Sequence, residues 1–153
     1  HFTVSWEYWY RFQIPYLTRH RSFFGDLESW NVWGSIVLVQ IRSLIEEINN
    51  DVSTKPKTYG DFFIMNLKHK AKRGINASSI ADISSITRAK VIRKLKTLEK
   101  RKLILRNKKL EYSLGVKRDD MRVIEKNYLI SQRAFSDYAS TMFNLMKFSK
   151  FSI

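Results

Sequence analysis

Apolar residues between positions 76 and 105 recur at the spacings expected for two short helices that cross each other. In the first of these helices, Ile80, Ala81 and Ile83 form the predicted inner face, and Ile86 follows in the predicted turn. In the second, apolar residues recur every three or four positions, as in a helix with one buried stripe. These residues are Val91, Ile92, Leu95 and Leu98. The pattern predicts a helix-turn-helix, because the small Ala81 side chain suits a close crossing of the two helices.

The segment before this motif is predicted to be helical as well. Its first 25 residues are rich in aromatic side chains, which we expect to be buried in the core or against a second subunit. Pro15 is predicted to interrupt any helix there, because proline lacks a backbone N–H. A second helix is predicted from Leu27 to Ile48, because apolar residues recur there at spacings of three and four positions. A polar linker is predicted to follow at residues 50–57. A capping box, Thr58-Tyr-Gly-Asp61, predicts that another helix begins there.

A β-hairpin and a long helix are predicted after the motif. Residues 103–106 and 110–114 resemble short strands joined by Asn107–Lys109, and Asp119-Asp120 is predicted to open the final helix. That helix has an apolar stripe that only Ser131 interrupts, so it should pair with the helix at 27–48 and with a second subunit in a two-fold dimer. The predicted dimerisation residues are Trp30, Trp33, Ile124, Tyr128, Phe135, Tyr138 and Met142.

These elements predict a mainly α fold with a small β-hairpin wing, in which a winged helix-turn-helix is flanked by long dimerisation helices. At 153 residues the chain has the usual size of one compact domain. Within it we distinguish an aromatic-rich N-terminal dimerisation region at 1–57, a winged helix-turn-helix at 58–117 and a C-terminal dimerisation helix at 118–153.

Positive charge is concentrated around the helix-turn-helix. Residues 55–126 hold 21 Lys or Arg against 7 Asp or Glu, residues 1–54 hold 4 against 6, and residues 127–153 hold 3 against 1. A generally basic protein would spread its cations, whereas a protein that binds a DNA groove concentrates them on one face. The distribution therefore favours DNA binding over a solvated lysine-rich surface.

Catalytic, metal and membrane functions are not indicated. The five glycines form no phosphate-binding loop and there is no cysteine, while His1, His20 and His69 lack the spacing of metal ligands. The longest aliphatic run, Ile36–Val39, is far shorter than the ~20 residues that span a bilayer. We therefore expect no enzyme activity, no metal, no cofactor and no membrane partner, and a cytoplasmic, nucleoid-associated location.

The stretch from Ile80 to Ile104 resembles winged-helix bacterial transcription regulators, which commonly show a Ser/Thr-Arg pair, a following valine and a Leu-x-x-Leu-Glu ending. The layout of the whole chain is most similar to the MarR family. The resemblance implies a recognition helix at about 87–100 in the major groove and a wing at about 104–114 on the adjacent backbone or minor groove. The predicted DNA-binding residues are Thr87, Arg88, Lys90, Arg93, Lys94, Arg106, Asn107, Lys108 and Lys109.

Three positions depart from the pattern of those regulators. Ser85 and Lys102 replace glycines, so each is predicted to occupy a backbone conformation that costs about 1 kcal/mol for a non-glycine residue. Ile92 stands where serine is frequent, and we predict that its side chain lies in the core rather than on a thymine methyl.

We therefore expect a homodimeric, sequence-specific regulator that binds double-stranded DNA. Two alternatives remain open: an RNA-binding or ribosome-associated winged-helix protein, and a phage or plasmid replication or partition factor. The resemblance also allows a small aromatic effector bound in the N-terminal region, although aromatic stripes are more often core or dimer contacts.

Overall fold

The computed structural model describes residues 2–50, 61 and 74–148. Within these ranges the chain forms α1 (Phe2–Phe24), α2 (Leu27–Asn50), α3 (Ala77–Ser84), α4 (Arg88–Lys100), β1 (Ile104–Arg106), β2 (Tyr112–Leu114) and α5 (Arg118–Phe148). The prediction of a mainly helical chain with one small β-hairpin is confirmed. The linker predicted at 50–57 and the helix predicted from Thr58 lie outside the described residues, apart from Asn50 and Asp61.

The first two helices meet at a corner formed by Gly25 and Asp26. Gly25 has a φ of 91°, a left-handed conformation that glycine adopts without strain, and its N–H donates to the Arg21 carbonyl at 2.8 Å. Asp26 then caps α2, because its Oδ1 accepts from the Ser29 backbone N–H at 2.7 Å. These two residues end one helix and begin the next.

The prediction that Pro15 interrupts a helix is wrong, since α1 continues through it. Proline removes one helical hydrogen bond, but the Pro15 side chain is exposed and the helix is held against α5 on both sides of it. Phe12 contacts Phe135 with ring centroids 5.5 Å apart, and Arg19 donates to Ser131 Oγ at 3.0 Å. Tertiary contacts thus outweigh the local cost.

The core lies around α2, which contacts α1, α3, α4 and β2. The predicted stripe of α4 is confirmed, because Val91, Leu95 and Leu98 are all 0% exposed. In α3, Ile80 is fully buried, whereas the prediction for Ile83 is wrong: its side chain is 43% exposed. The residue four positions after Ile80, Ser84, takes the inner position instead. Other buried core residues are Val32, Trp33, Ile36, Leu103, Ile104 and Leu114.

The hairpin is antiparallel, with Ile104 opposite Leu114 and Arg106 opposite Tyr112. Its second strand begins later than predicted, because Leu110 belongs to the turn, with a φ of 60° and a side chain that is 61% exposed. The hairpin is joined to the chain before α3 by backbone hydrogen bonds between Ile75 and Tyr112. The base of the hairpin is therefore anchored in the core.

The stripe of the final helix contacts mainly α1, not the helix at 27–48 as predicted. Aromatic rings fill this contact: Trp9 and Tyr138 have centroids 5.4 Å apart. Ser131, the polar residue that breaks the stripe, is buried and accepts the hydrogen bond from Arg19. The break in the apolar series therefore marks a polar contact between the two helices.

Candidate nucleic-acid interface

The turn between α3 and α4 is built as the sequence predicted. Asn76 caps α3, with its side chain accepting from the Ser79 N–H at 2.9 Å. Ser85 and Lys102 have φ angles of 55° and 60°, which confirms the left-handed backbone predicted at both positions. Thr87 is the N-cap residue of α4, but its side chain makes no capping hydrogen bond.

Four of the predicted DNA-binding residues lie exposed along the N-terminal half of α4: Thr87, Arg88, Lys90 and Arg93. The Arg88 Nε donates to the Ser78 Oγ at 3.1 Å, which orients the guanidinium towards the start of α3. Lys90 forms an ion pair with Glu28 of α2 at 3.0 Å. Arg93 makes no ion pair with any described residue. The cations in this half of the helix therefore differ in how freely they can bind an external anion.

Lys94, which was also predicted to bind DNA, points towards α2 instead. Its Nζ lies 2.8 Å from Asp26 Oδ2 and 3.5 Å from Glu28 Oε2, and its side chain is only 15% exposed. The position is adjacent to the buried Leu95, so the side chain follows the inner edge of the helix. A cation held by two carboxylates of its own chain is poorly placed to bind phosphate, and we correct this assignment.

Two cations outside the list of predicted DNA-binding residues lie on the outer face of α4, although the sequence pattern already places one of them, Lys96, outside the apolar stripe. Lys96 and Lys100 are exposed and, with Arg93, follow the three-four spacing of one helical face. The sequence contained this signal, because all three stand opposite the apolar stripe. Ile92, predicted to be core, is half-buried at the edge of the stripe.

Arg101 was also missed, and its role is intramolecular. It donates to the Phe23 carbonyl at 2.7 Å and its guanidinium lies 5.3 Å from the Phe23 ring centroid. This contact satisfies a carbonyl at the end of α1 that lacks a helical partner. It joins residues 78 positions apart, so no local sequence pattern could have indicated it.

The predicted wing residues divide into two kinds. Lys108 and Lys109 are exposed at the tip of the hairpin. Asn107, in contrast, shapes the turn: its Oδ1 accepts from the backbone N–H groups of Lys109 and Glu111 at 2.9 and 3.0 Å. Arg106 Nε lies 3.5 Å from Glu99 at the end of α4, so the hairpin runs beside the C-terminal part of that helix.

The two carboxylates beside α4 are stabilised in their charged form. Partial burial acts to raise the pKa of Asp26, but hydrogen bonds from Lys94 and Ser29 outweigh it and lower that pKa. The hydrogen bond from Lys90 is the main cause that lowers the pKa of Glu28. Both residues therefore carry negative charge next to the cationic face at neutral pH.

The predicted dimerisation residues are only partly available to another subunit. Trp33 and Ile124 are 5% and 7% exposed within the chain itself, so both belong to its own core and their assignment to an interface is corrected. Tyr128 and Phe135 remain 39% and 51% exposed, whereas Trp30, Tyr138 and Met142 are half-buried. Further exposed apolar residues line α1 at four-residue spacing: Trp6, Tyr10 and Ile14.

A cavity of about 150 Å³ lies between α1, α2 and α5. Its wall is mainly aromatic and includes Tyr16, His20 and Trp30. His20 stacks on Trp30 with centroids 4.8 Å apart, and its burial, together with the positive charge of Arg19, lowers its pKa to about 4. The Nε of Arg19 is buried and has no hydrogen-bond acceptor among the described residues, although Arg19 also donates to Ser131 in the cavity wall.

In residues 2–50, 61 and 74–148, no helix is both long and apolar enough to cross a membrane, and no group of His, Asp and Glu side chains is arranged to hold a metal ion. Comparison of the chain with protein-family models, with curated proteins and with solved structures gave no match.

Proposed function

We propose that this protein is a sequence-specific, homodimeric transcriptional regulator that binds double-stranded DNA, with α4 as the recognition helix and the β1–β2 hairpin as the wing. The observation that supports this most directly is the outer face of α4. It carries Arg93, Lys96 and Lys100, which are exposed and make no ion pair with described residues. Cations on one face of an exposed helix suit insertion between two phosphate strands.

The hairpin extends the cationic surface. Lys108 and Lys109 stand at its tip, and β1 contacts α4 directly, so the hairpin lies beside that helix. The base of the hairpin is anchored by the buried Ile104 and Leu114. In this proposal a rigid base supports a tip that reaches the backbone or minor groove next to the site of α4.

Salt dependence tests the electrostatic part of the proposal. If a dimer makes about six to ten phosphate contacts, its affinity for duplex DNA should fall by about three to five decades between about 50 and 200 mM salt. A change of less than about one decade would contradict the proposal. Competition with structured RNA at equal phosphate concentration separates DNA binding from the RNA-binding alternative, since RNA should compete poorly.

Replacing single cations separates base contacts from phosphate contacts. Arg88→Ala on the cognate site should cost about 1–3 kcal/mol and reduce discrimination between duplexes, if the guanidinium contacts a base edge. Lys108→Ala should weaken binding to all duplexes alike and reduce the slope of log affinity against log salt by about 0.9. Equal binding of wild type and Arg88→Ala to selected and random duplexes would show that the position of the recognition helix is wrong.

A second copy of the chain would cover the exposed apolar side chains of α1. Trp6, Tyr10 and Ile14 share one helical face, a different one from the face that contacts α5. At 23 residues α1 is about 34 Å long, which allows an extended helix-to-helix interface. Ile14→Lys, at a side chain 60% exposed, should yield a folded monomer that binds half-sites weakly. A wild-type monomer in light scattering at micromolar concentration, free and with DNA, would exclude this assembly.

The aromatic cavity supports binding of a small effector. A cavity of about 150 Å³ has room for a ligand with about one ring, as small apolar cavities of that volume do. The residues that line the cavity are mainly aromatic, which suits an aromatic ring. Toluene should therefore raise the melting temperature of the protein. If it does not, the cavity is only a packing defect of the core.

A further inference from the structure

Two carboxylates at the start of α2 are directed at lysines of α4. Glu28 Oε1 accepts from Lys90 Nζ at 3.0 Å, and Asp26 Oδ2 accepts from Lys94 Nζ at 2.8 Å. Acidic residues at the start of a helix are favoured by the helix dipole. That preference does not require either carboxylate to reach a second helix. Both do so here, and they place two negative charges beside the face proposed to bind DNA.

The two ion pairs differ in their exposure to a competing anion. Lys94 is 15% exposed and its charge is satisfied inside the fold. The Lys90 and Glu28 side chains are 52% and 39% exposed, so a phosphate can reach the Lys90 ammonium. Exposed ion pairs contribute little to stability, because water competes for both partners. Lys90 can therefore exchange Glu28 for a phosphate without loss of the fold.

We propose that Glu28 competes with backbone phosphates for Lys90 and thereby limits sequence-independent binding to duplex DNA. This inference rests on the proposed function. Non-specific binding comes from the release of counterions when cations neutralise phosphates. A carboxylate that pairs with one of those cations removes the contribution of that cation to phosphate binding. Asp26 differs from Glu28, because its partner Lys94 is already enclosed; Asp26 therefore only fixes the position of Lys94.

The size of the effect follows from the value of one phosphate contact. Each contact contributes about 0.9 to the slope of log affinity against log salt, which corresponds to about five- to tenfold in affinity near 0.1 M salt. Removing the negative charge of Glu28 should therefore tighten binding to a random duplex by about that factor and steepen the slope by about 0.9.

The experiment compares wild type, Glu28→Gln and Glu7→Gln, each as the full chain, on a random-sequence duplex by fluorescence anisotropy across a salt series. Glu7→Gln is the matched control, because it removes the same charge from an ion pair with Arg11 on α1. Glu7 is 17 residues, or about 26 Å of helix, from the end of α1 next to α4. We expect tighter binding and a steeper slope for Glu28→Gln only.

A second pair of variants identifies Lys90 as the mediator. In a Lys90→Ala background, Glu28→Gln should no longer change the affinity, because the lysine that it would release is absent. The inference would be overturned if Glu28→Gln raised the affinity for the random duplex equally with and without Lys90, or if Glu7→Gln raised it as much, since either result would show general charge repulsion. Unchanged binding in Glu28→Gln would overturn it too. A wild-type protein that does not bind duplex DNA would instead refute the proposed function and the inference with it.

Discussion

Replacing Arg93 or Lys94 with alanine should have opposite consequences although the two residues are neighbours. Lys94 is 15% exposed and lies between Asp26 and Glu28, whereas Arg93 projects from the outer face of α4. We expect Lys94→Ala to lower stability and Arg93→Ala to lower DNA affinity. The pair therefore tests which face of α4 is directed outward.

The magnitude for Lys94 follows from its contacts. A hydrogen bond to a charged group contributes about 1.5–3 kcal/mol. The carboxylates of Asp26 and Glu28 are 45% and 39% exposed, so water recovers part of this when the lysine is removed. We therefore expect a loss of about 1–2 kcal/mol, which lowers the melting temperature by about 2–8 °C for a domain of this size.

Arg93→Ala should leave the melting temperature nearly unchanged, because exposed substitutions usually alter stability by less than about 0.5 kcal/mol. On duplex DNA it should reduce the salt slope by about 0.9 if the guanidinium contacts a phosphate. Circular dichroism melts and anisotropy titrations in one buffer measure both quantities. The orientation of α4 would be refuted if Arg93→Ala lowered the melting temperature as much as Lys94→Ala. It would also be refuted if Lys94→Ala, while still folded, reduced the salt slope of DNA binding as much as Arg93→Ala.

Three further predictions concern stability. Gly115→Ala would place its Cβ 2.9 Å from the Ile104 carbonyl carbon, and should lower the free energy of unfolding, measured with denaturant, by about 1–3 kcal/mol. Gly34→Ala is the control: its Cβ would meet no atom within 4 Å, so the substitution should be neutral or stabilising. Lys102→Gly should raise the unfolding midpoint, because it relieves about 1 kcal/mol of strain at a φ of 60°; an unchanged or lower midpoint would contradict this. The pKa of His20 is about 4 in the folded protein, below its ordinary 6.5, so the unfolded chain takes up a proton at a higher pH than the folded chain does. The free energy of unfolding should therefore fall as the pH decreases from 6.5 to about 4. This additional loss should be absent in His20→Phe, and a histidine resonance titrating near 6.5 in the folded protein would contradict it.

The amino-acid sequence by itself determined the features that arise between near neighbours. The buried stripe of α4 and the left-handed backbone at Ser85 depend on residues a few positions apart, and both are present as predicted. A helical period places side chains on one face whatever that face contacts. The same rule identifies Arg93, Lys96 and Lys100 as one outer face.

Only the tertiary structure decided which of several similar side chains meet. The pairing of Lys94 with Asp26 joins residues 68 positions apart, and that of Arg19 with Ser131 joins residues 112 apart. With 28 cations and 24 aromatic or histidine side chains available, local patterns do not distinguish one partner from another. Trp33 thus became core and α1 continued through Pro15, because long-range packing contributes more free energy than a single helical hydrogen bond or a local preference.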